Sequence, residues 1–355
     1  MTTHDITPSM APERAQEIAR SFDLRALAPD FLANPYPVYA ALREHEPVRR
    51  MPDGSVFLTR CADLMAVYRD AQTFSSDKQV EFAPKYGKGS ALFEHHTTSL
   101  VFNDPPLHTR VRRLIMGALT RRAIADMEPG LILLVDSLLD GLAERGGGDL
   151  IEDFASAIPV EIIGNLLDVP HGDRGPLRDW SLAILGALEP TLTPAQLALG
   201  NQAVTDMLAY LRTLVVQRRR HPGDPERDVL TRLIQGENGN GKGGEQLSEV
   251  ELLQNCIFLL NAGHETTTNL IGNGLIALQE HPQARQFLHT ALKHTEGDAA
   301  AQETVLTRAV DEFLRFESSN QLGNRRAVKD TQVGGVDLPA GTLVTLCIGA
   351  ANRDP

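Results

Sequence analysis

Cysteine is scarce in this chain of 355 residues: Cys61, Cys256 and Cys347 stand far apart, and no two of them form a CxxC pair. That spacing excludes a disulfide framework and gives no sign of a zinc site. Positive charge is also short. With 34 lysines and arginines against 46 acids, the net charge of -12 argues against nucleic acid as a general partner, while leaving room for a local basic patch. No apolar run is long enough to span a bilayer. The polar N-terminus, MTTHDITPSMAPERAQEIARSFDL, has no apolar core of the signal-peptide kind. No internal repeat is visible. A soluble protein in a reducing, cytoplasmic setting is the expectation.

Two further absences remove candidate activities. GENGNGKGG holds Gly239, Gly241 and Gly244 in a near-Walker pattern, yet Gly243 stands where that loop needs Ser or Thr for magnesium. A helix-like run precedes it in place of a strand, so a flexible linker is the simpler reading. His264-Glu265 opens like a zinc protease motif, but Thr268 occupies the position of the second histidine. No flavin or nicotinamide fingerprint is present.

What is present is mostly helical. A short helix enters through Pro35 and Pro37, and two β-type runs flank Asp53-Gly54, a hairpin turn pair. Residues 61–75 read as helix and 77–100 as a long loop. From Asp104 to about residue 290 helices dominate, broken at Gly146–Gly148, Pro170, Pro190 to Pro194 and Pro222 to Pro225. The end is β-like, with turns at Gly334-Gly335 and Pro339-Ala340-Gly341. The class is mainly α with a small β portion built from segments distant in sequence. Residues 1–30 form a polar N-terminal tail, and 31–355 a single domain.

Within this frame LLNAGHETTTNLIGNGL (259–275) is unusual. Ser248 and Glu251 make a capping box, and the helical pattern they open runs to Pro282, a length of about fifty ångströms at the standard rise. Leucines and isoleucines on nearly every side place the helix in the interior, where Glu265 and Thr266 are costly unless paired or useful. Gly263 costs about 1 kcal/mol relative to Ala at mid-helix, a loss that close approach by something flat would offset. Thr266 can return its hydroxyl to the carbonyl four residues back, bending the helix. Two readings stay open: a cofactor-facing helix that handles protons, or a Thr-rich helix packed on another, with Glu265 reaching solvent.

Two charge patterns accompany it. NDPPLHTRVRRL begins with Asp104 as N-cap and prolines in the first turn. His108 and Arg112 share one face there, mildly repulsive unless a ligand brings carboxylates. Arg110 and Arg113 point elsewhere, and Arg121 and Arg122 follow, with no acid between Leu107 and Ala125. An ordinary solvated basic helix is the more frequent meaning of such a run. AVDEFLRF sets Glu312 and Arg315 on one helical face among apolar neighbours. That pair is either a surface pair worth about 0.2–0.5 kcal/mol or a buried one with every hydrogen bond met.

In order and spacing, these pieces resemble the cytochrome P450 family of haem-thiolate monooxygenases in its soluble bacterial form, from about Asn34 to Pro355. DPPLHTRVR looks like the helix whose His and Arg hold haem propionates, here His108 and Arg112. AGHETT looks like the oxygen-binding motif, with Ala262 and Gly263 against the haem and Glu265-Thr266 as the acid–alcohol pair. EFLR is similar to the ExxR helix (Glu312, Arg315), and Arg325 takes the place of a further propionate ligand. ANRDP is also a family phrase. The family's haem-ligand cysteine loop, FxxGxxxCxG, is not among these residues, so the resemblance implies a C-terminally incomplete member with the metal-binding cysteine beyond Pro355. Cys347 reads as a small core residue.

The resemblance implies haem b (iron protoporphyrin IX), dioxygen and a small organic substrate. Thr266 would position the oxygen and a water, and Glu265 would connect that water to solvent. Electrons would come from a ferredoxin-type donor docking on Arg110, Arg113, Arg121 and Arg122. Phe82, Phe93, His95, His96 and the stretch near 181–205 would line the substrate pocket, although exposed loop positions suit the two histidines better. A peroxide-driven or dehydrating haem-thiolate enzyme, and a haem-free inactive chain, are the competing readings.

Overall fold

A computed structural model describes residues 10–236 and 245–355; the near-Walker glycines Gly239, Gly241, Gly243 and Gly244 lie outside the described residues. The chain divides into two compact units, one of Met1–Ser76 with Asn273–Pro355 and one of Asp77–Gly272.

The first unit opens with three helices, α1 (Pro12–Ser21), α2 (Pro29–Ala33) and α3 (Tyr36–His45). Each has proline in its first turn, where a missing N–H leaves no bond unmade. The stretch expected as a polar tail thus contains α1, and Ala19 and Phe22 are buried with Tyr39, Leu42 and Phe57. Strands β1 (Val48–Arg50) and β2 (Val56–Leu58) pair antiparallel across Asp53-Gly54, where Gly54 takes the left-handed φ of 83° that this turn demands. Helix α4 (Cys61–Arg69) is shorter than the expected 61–75. Asp70 Oδ1 accepts from the Thr73 backbone N–H at 3.0 Å, and this local bond turns the chain into β3 (Phe74–Ser75).

The second unit is helical. Where a loop was expected over 77–100 stand α5 (Gln79–Tyr86) and α6 (Ala91–Thr98), the latter capped by Ser90 Oγ accepting from the Phe93 N–H. Then come α7 (Leu107–Ala118), α8 (Arg121–Ala125), α9 (Glu128–Glu144), α10 (Ala157–Leu166), α11 (Gly175–Gly186), α12 (Pro194–Arg220) and α13 (Val229–Gln235). All four expected glycine and proline breaks fall between helices. Helix α7 starts at Leu107, later than the Asp104 start expected, because the residue before a proline is pushed away from α geometry. Leu92, Ile184, Met207, Leu211, Leu252 and Ile257 lie at the centre of one continuous core. Helix α14 (Glu249–Glu280) is 32 residues long, and its last turns belong to the first unit.

The first unit resumes with α15 (Pro282–His294), α16 (Ala299–Phe316), strands β4 (Leu322–Ala327), β5 (Thr331–Val333), β6 (Val336–Leu338) and β7 (Leu343–Cys347), and α17 (Ile348–Ala351). Its five-stranded sheet runs β1-β2-β7-β4-β3, and β5-β6 is a separate hairpin turned by Gly334-Gly335. The pairing of β2 with β7, Val56 opposite Val344, is parallel and joins the two ends of the chain, as the distant-segment expectation required. The fold is mainly helical with small sheets.

Candidate active site

Helix α14 begins with the capping box read from the sequence: the Ser248 N–H donates to Glu251 Oε2 at 2.8 Å, and the Glu251 N–H donates to Ser248 Oγ at 3.3 Å. Further along, burial sorts the polar residues by face. Ala262, Thr266 and Asn269, spaced four and three apart, form an exposed stripe, while Asn261, His264 and Thr268 on the other side are buried. The Thr266 hydroxyl donates to the Ala262 carbonyl at 3.0 Å, the back-bond expected from the spacing. Thr268 does the same to His264 O at 3.1 Å. Such bonds take carbonyls partly out of the helical ladder and loosen it locally.

Glu265 stands at the edge of the open stripe, half-buried. Burial raises its carboxyl above the usual range, and Glu189 adds to the shift. A carboxyl so placed holds a proton more readily than one in water, as a proton donor requires. Gly263 lies off the stripe. A Cβ built on it would sit 2.5 Å from Ile163 Cδ1 and 3.0 Å from Ile163 Cγ1, so what approaches this glycine is α10. Ala262 and Thr266 face the open side, and Gly263 admits a neighbouring helix.

The cations of α7 divide in the same way. Arg110 is ion-paired with Glu251, tying α7 to the first turn of α14, and Arg113 is paired with Glu245. Arg112 is exposed and forms no ion pair or hydrogen bond among the described residues, and His108 is half-buried one turn before it. Arg121 and Arg122 open α8, exposed and without acidic partners among the described residues, behind the cap that Thr120 Oγ1 provides to the Ala123 N–H. Of the four arginines expected as a docking patch, these two form no ion pair among the described residues. In the first unit, Arg325 on β4 lies 5.0 Å over the Tyr68 ring and donates to Asn324 O, with no carboxylate partner among the described residues.

Glu312 and Arg315 meet in a two-pronged pair, Nε to Oε2 at 2.8 Å and Nη2 to Oε1 at 2.6 Å, and Arg315 Nη1 reaches Asn352 O at 3.1 Å. The Arg315 hydrogen bond holds the Glu312 carboxyl below its usual range. The pair is about half-exposed, 56% and 46%, and α16 buries none of its residues, so the apolar neighbours do not enclose it. Sequence reasoning missed the companion arginine. Arg353 lies 3.3 Å from the Tyr36 ring centre and 4.1 Å from that of Phe316, and donates to Phe316 O. The ANRDP phrase thus anchors α16 and α3 through its Asn and Arg.

His95 and His96, read as exposed loop residues, are instead 2% exposed. Both stand on α6: His95 Nδ1 lies 3.0 Å from Gln254 Oε1 of α14, and His96 stacks on Tyr86 of α5 with ring centres 5.4 Å apart. The signal lay in Ser90 as a helix cap, which Pro84, Gly87 and Gly89 obscured.

Within the second unit, Ala262 and Thr266 on an open stripe suit the plane of a flat cofactor, and Arg112, exposed and without an ion pair among the described residues, suits a carboxylate. The iron's protein ligand is another matter. Burial pushes the thiols of Cys256 and Cys347 up to about 12, so both are packing residues, and among the described residues no three His, Cys, Asp or Glu gather as a metal site. Among the described residues no helix is long and apolar enough to cross a membrane. The family model described as Cytochrome P450 matches residues 186–355. The vitamin D(3) 25-hydroxylase of Pseudonocardia autotrophica is 36% identical over 91% of this chain and 75% of its own length. The biotin biosynthesis cytochrome P450 of Bacillus subtilis is 32% identical over 92% and 78%. The solved structure of P450BioI in complex with a hexadec-9Z-enoic acid ligated acyl carrier protein superposes with a TM-score of 0.80 at 32% identity, covering 93% of this chain and 80% of that one. With its helical architecture, its AGHETT turn and relatives of this closeness, the chain belongs to the cytochrome P450 family of haem b monooxygenases.

Proposed function

We propose that this protein inserts one atom of dioxygen into a small organic substrate, with electrons from a separate ferredoxin-type donor, and that Thr266 and Glu265 govern proton delivery. Haem b, when bound, would provide the dioxygen chemistry. The chain's own residues do the rest. Thr266, its hydroxyl hydrogen engaged by Ala262 O, keeps its lone pairs free to accept from a water on the open stripe. Glu265, raised by burial, gives that water a proton and links it to bulk solvent, from which the proton is replaced. His108, Arg112 and Arg325 offset the two carboxylates of the cofactor, and Ala262 gives its plane room.

The acid–alcohol pair on an open stripe carries this reading, because an enzyme driven by peroxide has no need of proton delivery. A reducing cytoplasmic setting agrees with the three free cysteines, of which Cys61 is exposed. The test is haem retention. Arg112→Ala should lower the haem content of purified protein against wild type, read from the absorbance ratio of haem to protein. Equal content would remove Arg112 from the cofactor site.

A further inference from the structure

We propose that Tyr68 is a positioning residue for the cofactor: its ring fixes the Arg325 guanidinium where a cofactor carboxylate can be met. The inference deepens the reading of Arg325 as a carboxylate ligand and rests on it. It starts from an anomaly in β4. Gly323 and Arg325 alternate onto one face of that strand, directly opposite Leu346 and Val344 of β7. Helix α4 covers this face, for Leu64 and Val67 share a buried core with Val344 and Leu346. A strand face lying under an apolar helix calls for apolar side chains. Here β4 offers a glycine and a cation instead.

Tyr68, next to Val67 on α4, accounts for both. Its hydroxyl end lies against Gly323, where a Cβ would overlap Oη and stand 3.5 Å from Cζ. Its ring lies beneath Arg325, with 5.0 Å from the ring centre to the guanidinium carbon. The glycine makes room for the ring along the strand, and the ring supports the cation two residues on. Burial raises the Tyr68 hydroxyl above its usual range, and the Arg325 charge opposes the rise. The phenol therefore keeps its proton at neutral pH, and the attraction is to the π face of the ring. The Arg325 side chain makes one hydrogen bond among the described residues, from Nη1 to Asn324 O at 2.8 Å. A guanidinium has five N–H donors, so Nε and Nη2 remain for a ligand, and a pair of N–H groups on one edge matches a carboxylate. A long side chain already fixed on folding loses little further freedom when its ligand arrives, and this is what the ring contributes.

The test titrates the full chain, freed of haem, with haem b and with haem b dimethyl ester, which has no carboxylate to offer. Quenching of Trp180, the one tryptophan, reports binding. Both side chains are partly open to water, so the contact is of the exposed kind. Tyr68→Leu should weaken binding of haem b about two- to fivefold and leave the ester unchanged. Tyr68→Phe, which keeps the ring, should bind as wild type does. Equal losses for both ligands, or no loss for haem b, overturn the proposal, because a merely structural defect does not tell the two ligands apart. If Tyr68→Leu does not fold, Gly323→Ala takes its place, since it crowds the ring from the hydroxyl end. Weaker binding of haem b alone, restored by adding Tyr68→Phe, is then expected, and wild-type affinity overturns the proposal. Arg325→Leu separates the two readings. If that variant binds haem b as tightly as wild type, the parent reading fails; if it binds more weakly while Tyr68→Leu does not, only the role of Tyr68 fails.

Discussion

Ile163 Cδ1 lies 2.5 Å from the point that a Cβ on Gly263 would occupy, so the glycine in the middle of α14 is a seat for the α10 side chain. An alanine there gains about 1 kcal/mol of helix propensity but overfills a packed contact at a cost of about 1–3 kcal/mol. Gly263→Ala should therefore lower the urea midpoint by a net loss of up to about 2 kcal/mol. Adding Ile163→Val, which removes the clashing methyl, should return part of that loss. Strictly additive losses would show that something other than Ile163 needs the glycine.

Thr266 bonds only within its own helix and is exposed, so its truncation should leave stability within about 0.5 kcal/mol of wild type. In the haem-loaded enzyme Thr266→Ala should consume electrons at a similar rate while yielding less product and more hydrogen peroxide. Product per electron pair is the quantity to measure, and an unaltered ratio removes Thr266 from proton delivery.

Arg353 stacks on Tyr36 and Phe316 and donates to Phe316 O, with its side chain only 14% exposed. Arg353→Ala should cost about 2 kcal/mol, for the stacked cation and its hydrogen bonds go together. Arg353→Lys should recover little, because an ammonium cannot lie flat between two rings and bond a carbonyl at its edge. Recovery of most of the stability by lysine would show that charge alone matters there.

Burial holds His95 at about 4 and His96 well below the ordinary imidazole value of 6.5. Between those values the unfolded chain binds protons that the folded protein refuses. The stability they contribute is complete above about pH 6.5 and is lost as the pH falls toward 4, on the order of 3 kcal/mol for His95 alone. Urea midpoints should thus drop between pH 7 and 5, and His96→Phe should flatten the drop. An unchanged slope in that variant would mean that His96 stays neutral when unfolded too.

Of the cations expected to receive an electron donor, Arg121 and Arg122 form no ion pair among the described residues, whereas Arg110 and Arg113 already answer Glu251 and Glu245. Reversing Arg121 and Arg122 to Glu should slow reduction by an acidic ferredoxin and weaken its salt dependence, with little change in melting temperature. Arg110→Glu should instead destabilise the fold. Stopped-flow reduction across ionic strength checks the pair, and a rate indifferent to both salt and reversal would move the docking face elsewhere.

The parts legible in the chain before folding were those whose causes are local. Asp53-Gly54 and Gly334-Gly335 turn where glycine is needed, Ser248 and Glu251 open α14, Pro282 ends it, and Thr266 finds a carbonyl one turn back, all within a few residues of backbone. Relations between remote segments carried no such mark. Arg110 meets Glu251, Arg315 meets Asn352, Val56 lies beside Val344, and His95 and His96 disappear into the interior only once distant helices converge. Spacing along a helix tells which residues share a face, but what that face meets depends on packing of the whole chain, and so the approach of Ile163 to Gly263 could not be read from spacing.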